Sequence, residues 1–410
     1  TNADLAISPP DDALRTSIID WTRGQDVLDE DGDGDTAEAR MIMGDPLHSA
    51  PAVVIYGGSP GTPDPKDAVV YFGTNDGLLH GIDGKTGSEL FAFLPKEMLR
   101  NLKNFYTSAQ QAQAGSGQSI NKAYGIDGSI QVLRKDVNGD GFISAGGGDQ
   151  VVLYFGMRRG EDVDGSSYYF AVDVSNRNDP RLLWVLGPGQ LPNLGQTWST
   201  PMLTRVNVSG ASQNTDGDVL IFGGGYSTSQ DSPGYSTDSV GNAIFMVDAQ
   251  SGNLLWSAGN AAPHKLVLGA MNNSIPANVR VLDLNHDQFA DRMYVGDMGG
   301  RLWRFDIFNG QPANQLVTGG VIASLGAANL TSPTVADNRR FYNAPDVSFV
   351  PAKTGNYLNI AIGSGYRAHP LNQSTNDRFY GIRDYNPFNQ LDQLAYDALT
   401  ASPVLDSNPN

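Results

Sequence analysis

A unit of about 70 residues recurs along this chain. It consists of a strand, a variable loop often rich in Asp or Gly, an apolar strand ending in Gly, a third strand ending near Asp, and a fourth carrying an aromatic residue. In the first copy these are SAPAVVIYG, AVVYFGTNDG, LLHGIDGKTG and ELFAF; in the second, YGIDGSIQVLR, DQVVLYFGM, SSYYFAVDV and RLLWVLG. The third reads STPMLTRVNV, GDVLIFGGGY, NAIFMVDAQSG and NLLWSAG. The fourth (ANVRVLDL, DRMYVGDMGG, RLWRFDIFNG) and the fifth (APDVSFV, YLNIAIGSGY, DRFYGIRD) show three strands each, and the pattern places no fourth. Four short antiparallel strands repeated radially predict an all-β fold, a β-propeller of four-stranded antiparallel blades. The segments Asp83–Gly87 and Asp248–Gly252 read as tight turns between third and fourth strands, with Gly supplying the positive φ that such hairpins need. Phe91, Trp184 and Trp256 then fall on outer strands, where their ordinary role is packing between blades.

Composition supports this. Forty-eight Gly, 23 Pro and 32 Tyr and Phe in equal numbers among 410 residues favour strands and turns over long helices. The best amphipathic stretch is DDALRTSIIDWTRG, where Leu14, Ile18, Ile19 and Trp21 are expected to share a helical face. The organisation expected is a helical and acidic-loop segment over 1–45 followed by the propeller over 46–410. No apolar run approaches the roughly 18 residues that span a bilayer. With no initiator Met and no signal pattern at Thr1, the sequence reads as a mature or excised piece of a longer chain; because a ring must bring its last blade to its first, five visible units suggest that it continues beyond Asn410. A net charge of −17 repels phosphate, which argues against nucleic acid and anionic membranes as partners and suits bound divalent cations. With no cysteine, thiolate chemistry and Cys-ligated zinc are excluded.

The acidity is concentrated. In DLNHDQFAD, Asp283, Asn285, Asp287 and Asp291 stand at positions 1, 3, 5 and 9, and the carbonyl of Phe289 is available at position 7. Carboxylates about 4 Å apart repel by about 1 kcal/mol in water and about 4 at an effective dielectric of 20, so such a loop is either a well-solvated turn or holds a cation. Hard oxygen donors on alternate residues are the front half of a calcium loop, and they favour Ca2+ over transition metals and over the strictly octahedral Mg2+. Gln288 replaces the usual turn Gly, no Glu stands at position 12, and Asp291 closes the loop early. His286 is expected to point outward. In the second unit the corresponding loop carries Asp136, Asn138, Asp140, Gly141 and Phe142, with Asp149 as a distant closing acid. In the third it shrinks to Asp216 and Asp218, a plain turn. Before the first unit, DVLDEDGDGDTAEAR offers Asp26, Asp29, Asp31, Asp33 and Asp35, with Glu38 able to close; a calcium loop and an acidic linker fit equally.

Taken in order, RGQDVLDEDGDGDTAEARMIMGDPLHSAPAVVIYGG, VVYFGTNDGLLHGIDGKTGSELFAFLPKEML and VRVLDLNHDQFADRMYVGDMGGRLWRFD resemble the C-terminal domain of the PilC/PilY type IV pilus proteins, from about Trp21 to at least Asp384. GDPLHS and GDMGGRLWRFD carry most of the specificity. The resemblance implies a modified, seven-bladed propeller, two blades more than the units counted above. It implies a non-enzymatic protein of the pilus tip and outer envelope, passing through the periplasm, that supports pilus assembly, counteracts retraction in twitching motility, and mediates adhesion in virulence. Its implied partners are minor pilins or other pilus components and a host-surface receptor. It implies Ca2+ on Asp283, Asn285, Asp287, the Phe289 carbonyl and Asp291. The integrin motif of some members is not carried over, because Arg23-Gly24-Gln25-Asp26 has an extra Gln.

Two other classes share the repeat. Quinoprotein dehydrogenases bind their quinone and calcium in a central funnel, whereas the Asp-rich loops here fall in hairpins at the periphery. A periplasmic scaffold propeller would differ mainly in location. No G-x-S-x-G or H-E-x-x-H is present, and His48 and His80 sit at repeat-forming positions that suggest structural roles.

Overall fold

A computed structural model describes residues 1–113, 122–210, 217–353 and 355–401. It divides into two compact units, Thr1–Val185 and Leu186–Asn410.

In the first unit, helix α1 (Asp12–Thr22) begins where the Asp11 carboxylate accepts the Leu14 N–H at 2.9 Å, satisfying one of the N–H groups that a helix start leaves without a partner. Ile18 and Trp21 are buried and Leu14 is partly buried against the same cluster, but Ile19 is exposed. Residues 14, 18 and 21 lie on one stripe at helical spacing, and Ile19 is turned about 100° from Ile18. The expected four-residue face is therefore a three-residue one. The repeat pattern did not reveal helix α2 (Leu102–Gln113), which buries Leu102, Phe105 and Tyr106 and sets Tyr106 edge-on to Trp21, with ring centroids 5.8 Å apart.

The repeat appears as successive antiparallel sheets. The first unit holds Ala52–Ile55, Ala68–Gly73, Leu79–Asp83 and Glu89–Phe93, then Gln131–Lys135, Gln150–Gly156, Tyr169–Asp173 and Arg181–Leu186, each sheet ordered as in the chain. In the second unit, Met202–Arg205, Asp218–Gly223, Ala243–Asp248 and Leu254–Gly259 form a sheet extended by a short parallel strand, Leu266–Val267. The next sheet is Arg280–Leu282, Arg292–Gly296, Arg301–Ile307 and Val317–Ser324. The last, among the described residues, has three strands, Asp346–Val350, Tyr357–Gly363 and Phe379–Asp384. Second and third strands such as Val151–Phe155 and Ala243–Asp248 are buried on both faces, which is why they read as continuous apolar runs without alternation.

The fourth strand that the pattern could not place is Val317–Ser324. The template asks for an aromatic residue there, but this sheet has exchanged the pair. In the first sheet Gly81 of the third strand faces Phe91 of the fourth; in the later one Phe305 of the third strand faces Gly319 of the fourth. A Cβ on Gly319 would lie 2.1 Å from the Phe305 ring, so the glycine is the space the ring occupies. Phe91, Trp184 and Trp256 all lie on fourth strands. Trp256 reaches the neighbouring sheet, edge-on to Phe305 at 6.3 Å, whereas Phe91 and Trp184 pack on Tyr71 and Tyr154 of their own sheets. The hairpin turns match closely. Asp83 Oδ1 accepts from the Lys85 and Thr86 N–H groups and the Thr86 hydroxyl, and Asp248 Oδ1 accepts from Gln250, Ser251 and the Ser251 hydroxyl, with Gly87 and Gly252 at φ +74° and +72°.

Candidate metal centre

The Asp283–Asp291 loop joins the first and second strands of the fourth sheet, and its backbone is organised by its own carboxylates. Asp283 accepts from the N–H groups of His286 (2.6 Å) and Gln288 (2.9 Å). Asn285 Oδ1 accepts from Asp287 N–H at 2.8 Å, and Asp287 Oδ1 from Phe289 N–H at 2.8 Å. Asp291 Oδ2 accepts from Leu284 N–H at 2.7 Å and closes the turn. His286 and Gln288 stand at φ +65° and +75°, a conformation L-residues avoid, and the bonds to Asp283 hold them there. His286 is solvent-exposed, as expected.

The loop of the second sheet repeats this wiring position by position. Asp136 accepts from Gly139 and Gly141, Asn138 from Asp140, and Asp140 from Phe142. Asp149, thirteen residues beyond Asp136 in the sequence, accepts from Val137 N–H at 2.8 Å, as Asp291 does from Leu284. The N-terminal loop follows suit. Asp29 accepts from Gly34, Asp31 from Asp33, Asp33 from Asp35, and Asp35 from Ala37, with Gly32 and Gly34 at positive φ. Positions 4 and 6 are left-handed in all three loops. Two of them place Gly at both positions, and the Asp283 loop places His and Gln. In the third sheet Asp216 lies outside the described residues, and Asp218 opens its strand opposite Arg205.

The carboxylates do not converge equally. Among the described residues, Asp26, Asp31 and Glu38, and likewise Asp29, Asp31 and Asp33, bring carboxylate oxygens within 4.8 Å of one another; Asp283, Asp287 and Asp291 are not grouped so closely. Asp26, itself buried, accepts the Glu30 N–H through both oxygens. The Asp33 carboxylate pushes the Glu38 pKa upward. Burial, reinforced by Asp287 and Asp283, raises that of Asp291. The amide nitrogen of Asn285 lies 3.2 Å from Asp287 Oδ2 and 3.5 Å from Asp291 Oδ1, and that of Asn138 lies 3.0 Å from Asp140 Oδ2. These two loops thus set the partial positive charge of an amide against their carboxylates. These donors are all hard oxygens, the chemistry that suits calcium.

The loop also borders residues that no local pattern announces. Asn285, Asp287 and Asp291 face a cavity of about 300 Å3 whose other wall includes Ile307, Asn309, Phe388 and Gln390. Phe388 is about a hundred residues from Asp287, so nothing in the spacing could have found it. The histidines are tied into the fold: His48 Nδ1 lies 2.6 Å from the buried Asp127, and His80 sits between Glu89 (2.8 Å) and Thr74 (3.1 Å) and stacks on Phe72.

Fold and site together define a β-propeller protein with Asp-rich loops between the first and second strands of its blades. Over residues 56–387 the chain matches the family model described as the PilY1 beta-propeller domain, and it belongs to that family. It is 28% identical over 306 residues to the type IV pilus biogenesis factor PilY1 of Pseudomonas aeruginosa strain UCBPP-PA14, covering 70% of this chain and 22% of that protein. It is 25% identical over 319 residues to a PilY1 homolog of Xylella fastidiosa strain Temecula1, covering 77% and 21%. The crystal structure of the P. aeruginosa PilY1 C-terminal domain superposes with a TM-score of 0.51 at 23% identity, covering 78% of this chain and 57% of that one. The chain therefore spans about a fifth of the length of the curated relatives it matches.

Proposed function

We propose that this chain is the propeller of a type IV pilus biogenesis factor, and that its Asp283–Asp291 loop binds Ca2+ through Asp283, Asn285, Asp287, the Phe289 carbonyl and Asp291. The observation that carries the calcium reading is the shared wiring of three Asp-rich loops, with the Asp283 loop held in a left-handed conformation at His286 and Gln288 without the glycines its counterparts use. The relatives named as pilus biogenesis factors support the pilus reading. On this reading the protein works at the cell envelope and pilus tip without catalysis. Calcium neutralises the loop carboxylates, orders the entry to Arg292–Gly296, and biases which pilus components (minor pilins among them) dock there, and so the balance of extension and retraction and the adhesion of the pilus to host surfaces. The Asp136–Phe142 and Asp29–Glu38 loops are second and third sites of the same kind. No helix among the described residues is long and apolar enough to cross a membrane.

The test is a calcium titration by calorimetry on chelator-treated protein beside Asp287→Ala, followed by piliation of cells carrying the same substitution. The reading expects calcium binding that the substitution weakens, and extension or retraction that no longer responds to calcium. Unchanged calcium-responsive piliation in the variant would overturn it.

A further inference from the structure

After the last described strand the chain doubles back across the fourth sheet. Residues 385–392 lead into helix α3 (Gln393–Ala401), which packs on Val317–Ser324. This strap is held by a buried, charge-balanced cluster. Arg292 pairs with Asp306 at 2.7 Å and donates through Nη1 to the carbonyls of Asn386 and Pro387 and through Nη2 to that of Asn389. Arg304 pairs with Asp306 and Asp384, both at 2.9 Å, and donates to the Asn389 carbonyl. Asp306 accepts in turn from Leu391 N–H and the Tyr396 hydroxyl. Both arginines and Asp306 are almost wholly inaccessible to solvent. If the strap lifted away, these buried groups would lose several of their partners, so its docked position is well defined.

The anchors lie immediately behind the Asp-rich loop. Arg292 is the next residue after Asp291. The Asp291 carbonyl accepts from Ile307 N–H at 2.8 Å, and the Ile307 carbonyl accepts from the Gln390 side-chain amide at 2.6 Å. Two hydrogen bonds thus connect the closing acid of the loop to the strap. The cavity described above is lined by the loop residues Asp287 and Asp291 together with Phe388 and Gln390 of the strap.

We propose that the strap Tyr385–Ala401 is the element through which the loop is regulated: calcium binding in Asp283–Asp291 and docking of the strap stabilise one another. This rests on the calcium reading of the loop. Asp291, in binding an ion, would share with it the carboxylate that accepts the Leu284 and Asn285 N–H groups. The main chain of Asp291 is bonded to Ile307, and the side chain of its neighbour Arg292 carries the strap, so a change at that carboxylate reaches both anchors. Linkage makes the effect reciprocal, and a docked strap raises calcium affinity by the factor by which calcium favours docking.

The experiment uses the intact chain. Calcium is titrated by calorimetry, with magnesium as control, into wild type, Gln390→Ala and Phe388→Ala, neither of which touches a loop donor. Hydrogen exchange of residues 386–396 is followed with and without calcium, and circular dichroism checks the fold of each variant. The linkage expects calcium binding at least about fivefold weaker in Gln390→Ala, the low end of ordinary coupling. It also expects exchange in the strap to slow with calcium in wild type but not in Asp287→Ala. Normal calcium binding in wild type with equal affinity in both strap variants and calcium-indifferent exchange overturns the linkage and leaves the calcium site standing. No calcium binding by wild type overturns the site and the linkage together. Should Gln390→Ala misfold, Phe388→Ala and the wild-type exchange decide.

Discussion

The carboxylate of Asp291 accepts the backbone N–H of Leu284 at 2.7 Å, clasping the Asp-rich loop seven residues apart in the sequence. The same clasp, Asp149 to Val137 at 2.8 Å, closes the loop of the second sheet across a span of twelve residues. On the calcium reading, the acid that holds the bare loop shut is also one of the donors to the ion.

Asp291→Ala removes both. The Leu284 N–H loses its acceptor in a partly buried setting, a loss of about 1–3 kcal/mol, and calcium binding weakens more than in Asp287→Ala. Urea unfolding in chelator measures the first effect and calorimetry the second. A variant of unchanged stability would show that the clasp contributes little.

If Asp291 binds calcium as proposed, protons compete with the cation there. Its pKa is raised, first by burial and then by Asp287 and Asp283, so the charged form is disfavoured in the folded state. Without calcium, this penalty is present at neutral pH and is relieved as pH falls through the raised folded value. With calcium the sign reverses, because binding requires the carboxylate. Calcium affinity is expected to fall on acidification, beginning at a higher pH than an ordinary Asp would dictate. Titrations at a series of pH values check it, and Asp291→Asn should flatten the early part of the decline.

Asp31 belongs to both acidic triads of the N-terminal loop. Asp31→Asn relieves like-charge repulsion and should raise the melting temperature slightly in chelator. If that loop binds calcium, the substitution also removes part of the calcium-dependent stabilisation, which for one site at a hundredfold excess over Kd amounts to about 2.7 kcal/mol. Thermal melts with chelator and with calcium separate the two effects.

Trp256, buried and edge-on to Phe305 of the next sheet, joins two sheets of the second unit. Trp256→Ala should cost about 3–5 kcal/mol through lost burial and the cavity left behind, read as a lower urea midpoint. Trp184→Ala, whose ring packs on Tyr154 of its own sheet, gives the corresponding cost for a fourth-strand Trp of the first unit.

Much of the strand order was legible because it rests on local chemistry. Apolar runs, Gly at strand ends and Asp–Gly turns act within a few residues, so the strands of the first three units fall where the pattern puts them. The turns of the three Asp-rich loops are local for the same reason, since a carboxylate that bonds N–H groups two to five residues on needs nothing from elsewhere in the fold.

What stayed hidden depended on distant partners. Val317–Ser324 has no aromatic signal because its ring stands on the facing strand, and Gly319 makes sense only once Phe305 is beside it. Ile19 looked like part of an apolar face until packing chose the stripe through Ile18 and Trp21. The strap and its anchors, Arg292, Arg304 and Asp306, are the clearest case. By themselves they are ordinary charged residues in a strand-rich segment. By sequence alone, this chain determined its repeat, its turns and the spacing of the acidic side chains in its loops, since these are set by neighbours. Only tertiary structure decided which carboxylates converge and which partners the buried charges find 80 to 97 residues away, because ion pairs, hydrogen bonds and close packing depend on separation in space and carry no signature of separation along the chain.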